Sequence, residues 1–312
     1  MNDDYASINT SKANFDEIYD RDDPRSYFSV LGSLDYMIPD VAAPVVRQIL
    51  GAFSQRYSRQ PLVLDVGSSY GINAAVHRFP LTFASLRSRY ARREMMALTS
   101  EELIELDRSF FAGWPDVGLG RFIGLDCAAP AIRYARRVGL IDAGVVADLE
   151  RQPLADRDAA VIADANIILS TGAVGYVTEK TYRKVLDAME SPPWVISFVL
   201  RMFPYDDFAA LLEEYDLVTE PLPAATFVQR RFRDAAECES SLNALAERGV
   251  DTAGFEAEGL FQADLFVSRP KSDVRAARLE DIVTVSSGRY RPVGARYVQV
   301  ETNGGVQIAL EP

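Results

Sequence analysis

The sequence predicts an α/β fold, a Rossmann-like seven-stranded sheet with helices on both faces. Three observations predict it. From residue 61, short apolar runs of buried-strand type alternate with helical segments, the pattern of a parallel sheet covered on both sides. The first run, "PLVLDVG", passes through a glycine turn into the helical "INAAVHRF". Two further strand-like runs, "AATFVQRRF" (224–232) and "GLFQADLFVS" (259–268), close the alternation around one helix, "AAECESSLNALAERG".

Taken in order, residues 1–55 read as an N-terminal helical cap. Short turns lead into a helix in which Pro44 takes the first turn and Val45, Val46, Ile49 and Leu50 form the apolar stripe. "PLVLDVG" is the first strand. Residues 80–118 interrupt the alternation. There Thr99 and Glu102 have capping-box spacing, followed by Leu103, Leu106 and Phe110 at helical spacing. "RFIGLD" (121–126) is the second strand, and "APAIRYARRVG" the second helix, closed by Gly139. "AGVVADLE" (143–150), "ANIILST" (165–171) and "PWVISFVL" (193–200) are the third, fourth and fifth strands. "TEKTYRKVLDAM" and "YDDFAALLEEY" are the helices that follow the last two. The alternating domain thus spans 56–270. Residues 271–312 read as a small β extension, a hairpin turning at Asn303, Gly304 and Gly305.

Composition restricts function. The net charge is −12, which repels nucleic acid and anionic membranes, so neither is expected as a partner. The two cysteines, Cys127 and Cys238, are far apart and form no CxxC or Cys/His cluster, so no metal site is expected. The polar, acidic N-terminus lacks the features of a signal peptide, and no apolar run reaches membrane-spanning length. A cytoplasmic protein is expected. The N-terminal segment and the C-terminal hairpin are the surfaces through which a homodimer could form.

In open α/β sheets, ligands bind beyond the carboxyl ends of strands where strand order reverses. The first strand-to-helix turn, Asp65-Val66-Gly67-Ser68-Ser69-Tyr70-Gly71, belongs there. It is not a dinucleotide fingerprint. Counted from Gly67, Ser69 and Ile72 stand where G-x-G-x-x-G requires glycine. An acid before the turn suits an ammonium group, and the glycines leave room for a nucleoside. Asp126 ends the second strand, placed for the two hydroxyls of a ribose. Asp148 follows the third, placed for an adenine amino group, with the Leu149 backbone at the ring edge. Three strand-end acids without a basic phosphate cradle describe a cationic nucleoside, S-adenosylmethionine.

The ordered set "VLDVGSSYG", "FIGLD", "VVADLE" and "IILSTGAVGYV" resembles the successive motifs of class I S-adenosylmethionine-dependent methyltransferases, over roughly residues 60–270. In that fold the last strand inserts antiparallel. The resemblance implies cofactor contacts at Asp65, Gly67, Ser68, Ser69, Gly71, Asp126, Cys127, Asp148, Leu149 and Ser170. It places the "STGAVGYV" loop, with Tyr176, against the sulfonium and a small-molecule substrate. Tyr176 is the candidate catalytic residue. Tyr27, Phe28 and Tyr36 belong to a segment that folds over the cofactor in this family, or they pack in a core. His77, the only histidine, lies about two turns past Gly71 and reads as structural. Arg133, Arg136 and Arg137, and Arg230, Arg231 and Arg233, read as solvated faces. Two reactions fit: methyl transfer to a metabolite, or the cyclisation carried out by azetidine-2-carboxylate synthases, in which the cofactor's own amine displaces methylthioadenosine. A cofactor-binding scaffold without activity is a third reading.

Overall fold

The computed structural model describes residues 16–223, 225–285 and 297–310. Ten strands form one sheet. They are β1 (Leu62–Val66), β2 (Arg121–Asp126), β3 (Ala143–Val146), β4 (Ile167–Thr171), β5 (Trp194–Leu200), β6 (Leu217–Pro221), β7 (Thr226–Arg231), β8 (Leu260–Pro270), β9 (Tyr297–Thr302) and β10 (Gly305–Leu310). The path across the sheet is β3-β2-β1-β4-β5-β8-β7-β10-β9, with β6 pairing to β8 off that path. The first five strands are mutually parallel, and β8 runs antiparallel to both β5 and β7. This is the expected Rossmann-like methyltransferase sheet, its last core strand inserted antiparallel, and three more strands join it. Strand order reverses between β1 and β4, which puts a crevice beyond their carboxyl ends.

β1, β4 and β5 are buried almost throughout, which is why they read as continuous apolar runs. β6 was not anticipated. Its "LVTEP" is short and follows the Asp206–Glu214 helix after two residues. β3 is shorter than the "AGVVADLE" run and ends at Val146, so Asp148 stands on the turn beyond it.

The cap contains two substantial helices, Arg25–Ser33 and Ile38–Tyr57. Pro44 lies inside the second helix and not in its first turn, where Pro39 stands instead. The helix starts earlier than the stripe suggested, because Ile38 and Val41 are buried as fully as Val46 and Ile49. The interrupting segment forms the helices Phe83–Tyr90, Arg93–Met96 and Ser100–Ala112. Thr99 and Glu102 make the expected capping box. The buried stripe, however, is Leu103, Ile104, Asp107 and Phe111, while Leu106 is exposed. Asp107 binds this insertion to the domain. It accepts from Arg89 at 2.7 Å, Tyr90 at 2.9 Å and Tyr134 at 2.8 Å, a fully paired buried carboxylate.

In the expected β extension 271–312, Lys271–Ala276 and Leu279–Ile282 are helices, and the hairpin is made by β9 and β10 alone. β10 pairs parallel with β7 and continues the main sheet. Among the described residues no helix is long and apolar enough to cross a membrane.

Candidate functional site

A cavity of about 470 Å³ opens at the carboxyl ends of β1, β2 and β4, beneath the N-terminal cap. Its floor is the turn after β1. Gly67 has φ +75, and a Cβ there would lie 2.7 Å from Ala173 Cβ in the loop after β4, so only glycine lets the two loops approach this closely. Ser68 and Ser69 line the cavity beside it. Gly71, at φ +78, is not among the lining residues. Its absent side chain lets the Ile72–Arg78 helix pack on Ala135 and Leu140.

Asp65 sits under this floor, fully buried and outside the lining set. Its Oδ1 accepts from Asn73 Nδ2 at 2.8 Å. Its Oδ2 is buried without a hydrogen-bond partner of good geometry. Burial pushes its pKa up to about 7, against the lowering influence of Asn73 and Ser68. Asn73 lines the cavity and also donates to Thr171 Oγ1 at 3.0 Å, so one amide ties the ends of β1 and β4 together. The sequence reading missed Asn73. Its position two residues into the helix that opens at the glycine turn was the available signal.

At the end of β2, Asp126 is fixed by two backbone donors, Ser69 N–H at 2.8 Å and Ala128 N–H at 2.9 Å. Burial raises its pKa despite those bonds. The Ser69 contact runs from the glycine turn to the strand-end acid, so the insertion between them in sequence leaves them adjacent in space. Cys127, Asp148 and Leu149 line the same end of the cavity. Burial and the neighbouring Asp126 and Asp148 carboxylates raise the Cys127 thiol pKa, which makes it a poor nucleophile. Ser170 is buried on β4 and does not line the cavity.

Glu150, also missed, closes the wall between the loops after β3 and β4. It accepts from Thr178 N–H and Thr178 Oγ1, both at 2.8 Å, and from Thr181 Oγ1 at 2.6 Å. Tyr176 belongs to the loop held this way. It lines the cavity and is half exposed.

The cap supplies the roof. Tyr19, Tyr27 and Tyr36 line the cavity, while Phe28 packs in the core, stacked on Tyr90 at 4.8 Å. The Tyr70 hydroxyl, reaching up from the glycine turn, lies 2.9 Å from the carbonyls of Ile18 and Arg21 and so anchors the segment carrying Tyr19. The back wall comes from β7. A bulge between Val228 and Arg230 breaks its register with β8, and Gln229 and Arg230 both line the cavity. Arg230 is therefore not on a solvated face. It is buried, bidentate to Glu237 at 2.8 Å on both nitrogens, with its guanidinium 4.7 Å from the Phe261 ring. Arg231 and Arg233 are surface residues paired with Asp35 and Asp234. Arg133 and Arg137 are surface residues too, paired with Asp22 and Glu101. His77 is buried beside Phe122 away from the cavity, and burial lowers its pKa to about 3. Among the described residues no cluster of His, Cys, Asp and Glu is arranged to hold a metal ion.

Strand order and cavity position together define a Rossmann-like domain of the methyltransferase type. No family model matches the chain, and no curated protein matches it. Solved structures are similar to it at low identity. One is "the plantazolicin methyltransferase BamL in complex with triazolic desmethylPZN analog and SAH", 12% identical over 86% of this chain and 97% of that one, with a TM-score of 0.44. A TehB-like SAM-dependent methyltransferase from Corynebacterium glutamicum is 15% identical over 71% and 88%, with a TM-score of 0.34. The YcgJ protein from Bacillus subtilis is 12% identical over 71% and 97%, with a TM-score of 0.38. The fold assignment rests on the strand order and not on these scores.

Proposed function

We propose that this protein is an S-adenosylmethionine-dependent enzyme that transfers a methyl group to a small-molecule metabolite by in-line displacement at the sulfonium. The observation that carries the reading is the cavity floor: a glycine turn bonded to the strand-end acid Asp126, over the buried carboxyl of Asp65. The residues fit such a ligand. Asp126 keeps lone pairs for a ribose, Asp148 and Leu149 face the position of an adenine, and the Gly67–Ser69 turn leaves space for the amino-acid tail. Among the described residues the lining carries one basic side chain, Arg230, which is engaged by Glu237, so a pyrophosphate grip is not supported. Bound, the cofactor supplies an activated methyl carbon; the chain has only to hold a nucleophile about 3–3.5 Å from it and in line with the sulfur. Tyr176, on the loop fixed by Glu150, is assigned to orient the acceptor. Tyr176→Phe should lower turnover while leaving cofactor affinity within about threefold; wild-type turnover would remove the hydroxyl from the mechanism.

The tyrosine-lined roof favours one second reading. An aromatic, small-residue pocket also suits the folded methionine tail needed for intramolecular cyclisation to azetidine-2-carboxylate. Incubation with S-adenosylmethionine, followed by chromatography of the spent nucleoside, separates the two. S-adenosylhomocysteine formed only with an added acceptor supports methyl transfer. Methylthioadenosine formed without one supports cyclisation. Binding without turnover across a broad acceptor screen refutes both.

A further inference from the structure

We infer that Gln229 reads the acceptor, and that the acceptor presents to it an uncharged carboxamide-type group, a carbonyl beside an N–H. The inference rests on the functional reading above and concerns the end of the same cavity away from the adenosine residues.

The fold turns Gln229 inward. The bulge in β7 leaves it without a register partner on β8, between Val228, which pairs with Gln262, and Arg230, which pairs with Phe261. A bulge of this kind re-aims one side chain. The Gln229 carbonyl accepts from Met37 N–H at 2.9 Å, and Arg231 N–H donates to the Leu34 carbonyl at 2.8 Å, so the cap fixes the bulge on both sides. The side chain lies against the loop after β4. A Cβ on Gly172, at φ +96, would collide with Gln229 Nε2, so the loop has glycine where the amide passes.

Gln229 is only 5% exposed and lines the cavity, and its side chain bonds to none of the described residues. Neither of its polar atoms is sealed within protein, so both open to the cavity. An amide buried in this way regains its lost hydration only from a ligand that pairs with both of its edges.

The surroundings decide the class of that ligand. Asp126 and Asp148 lie at the ends of β2 and β3, and β1 separates those strands from β4, over whose end Gln229 stands. Glu150 is bonded to Thr178 and Thr181, and Asp20 is an exposed residue of the cap. Beside Gln229, Arg230 is bidentate to Glu237, and the Tyr36 phenol is held protonated by burial. An ammonium would use the amide oxygen and set its charge against the amide N–H groups. A carboxylate would use the N–H groups and set an anionic oxygen against the amide oxygen. A carboxamide satisfies both edges and carries no charge for the acidic cavity to repel.

Calorimetry at about pH 7 on the full chain saturated with S-adenosylhomocysteine tests this, with benzamide, benzoate and benzylamine as size-matched probes. Benzamide should bind the wild type at least about tenfold more tightly than either charged probe. Gln229→Leu should lower benzamide affinity at least about tenfold while S-adenosylhomocysteine affinity stays within about threefold. Gln229→Glu keeps the size and supplies a charged acceptor, so benzylamine should now bind more tightly than benzamide, a reversal that a merely structural glutamine would not give. A charged probe binding the wild type as tightly as benzamide, or no binding by any probe, overturns the inference without need of a variant. Unchanged benzamide affinity in Gln229→Leu, or no reversal in Gln229→Glu, overturns it as well. So does loss of S-adenosylhomocysteine affinity in both variants at an unchanged urea midpoint, which assigns Gln229 to the cofactor. Failure of S-adenosylhomocysteine to bind the wild type is a separate result, and overturns the cofactor reading itself.

Discussion

Gly67 and Gly71 have nearly the same backbone angle, yet a side chain would meet loop 171–178 at the first and the helix Ala129–Arg137 at the second. The two substitutions should therefore fail differently. Gly67→Ala pushes the floor and the β4 loop apart and should weaken S-adenosylhomocysteine binding by tenfold or more. Gly71→Ala should lower stability by about 1–2 kcal/mol, the cost of a left-handed alanine, with ligand affinity of the folded protein retained. Calorimetry beside urea unfolding reads both effects, and equal losses of affinity would refute the distinction. Asp65 gives a prediction in pH. Its folded pKa of about 7 lies above the unfolded value of about 3.9, so the folded state holds the proton more tightly. Stability from this group is fully present below about pH 4 and is lost as pH rises through about 7, a total of up to about 4 kcal/mol. Asp40 and Glu256, raised by burial to about 6 and about 7, add to the same slope. The comparison with Asp65→Asn isolates one residue: urea unfolding from about pH 5 to about pH 8 should show the wild type losing more stability than the variant. Parallel slopes would place the titration elsewhere.

The elements legible in the sequence were those whose burial matches one period. β1, β4 and β5 are covered on both faces and read as apolar runs, and the capping box at Thr99 is a local pattern that needs no tertiary context. The back wall was illegible for a physical reason. "QRRF" has the composition of a solvated edge, and only the bulge at Gln229, together with a carboxylate seven residues on, turns Arg230 inward. Glu237 sits in the first turn of the Ala235–Glu247 helix and also accepts from Arg233 N–H at 2.6 Å. Removing it strands a buried guanidinium. Glu237→Ala should cost about 3–5 kcal/mol in urea unfolding, well beyond a lost surface ion pair at up to about 1 kcal/mol. A loss at the surface value would mean that water reaches Arg230. The candidate site followed the same division. Gly67, Asp126 and Leu149 line the cavity at strand ends that are visible in sequence, whereas Asn73, Glu150 and Gln229 reach it through the placement of other elements.

Across the whole molecule, the unexpected feature is how far the sheet extends. The hairpin turn was evident from Asn303 to Gly305, but nothing in a single strand's sequence shows which edge it will join. β10 meets β7 at Gln307 and Thr226 and at Ile308 and Phe227, and it seals that edge. Gln307 Oε1 accepts from the buried Gln262 Nε2 at 2.7 Å, and Gln262 Oε1 in turn accepts from Thr226 at 3.0 Å. Ile308 is fully buried. Deleting residues 297–312 would expose the edge of β7, leave the Gln262 amide without its partner and take the buried Ile308 side chain out of the core. Burying that side chain alone is worth about 1.5–3 kcal/mol, and an orphaned buried amide adds about 1–3 kcal/mol. Urea unfolding of the truncated chain should therefore show a loss of at least about 2 kcal/mol, together with association through the newly open edge at high concentration. An unchanged unfolding midpoint would show that the hairpin is a detachable extension. Because β7 also presents Gln229 and Arg230 to the cavity, the truncated chain should bind S-adenosylhomocysteine more weakly as well, coupling the far edge of the sheet to the site.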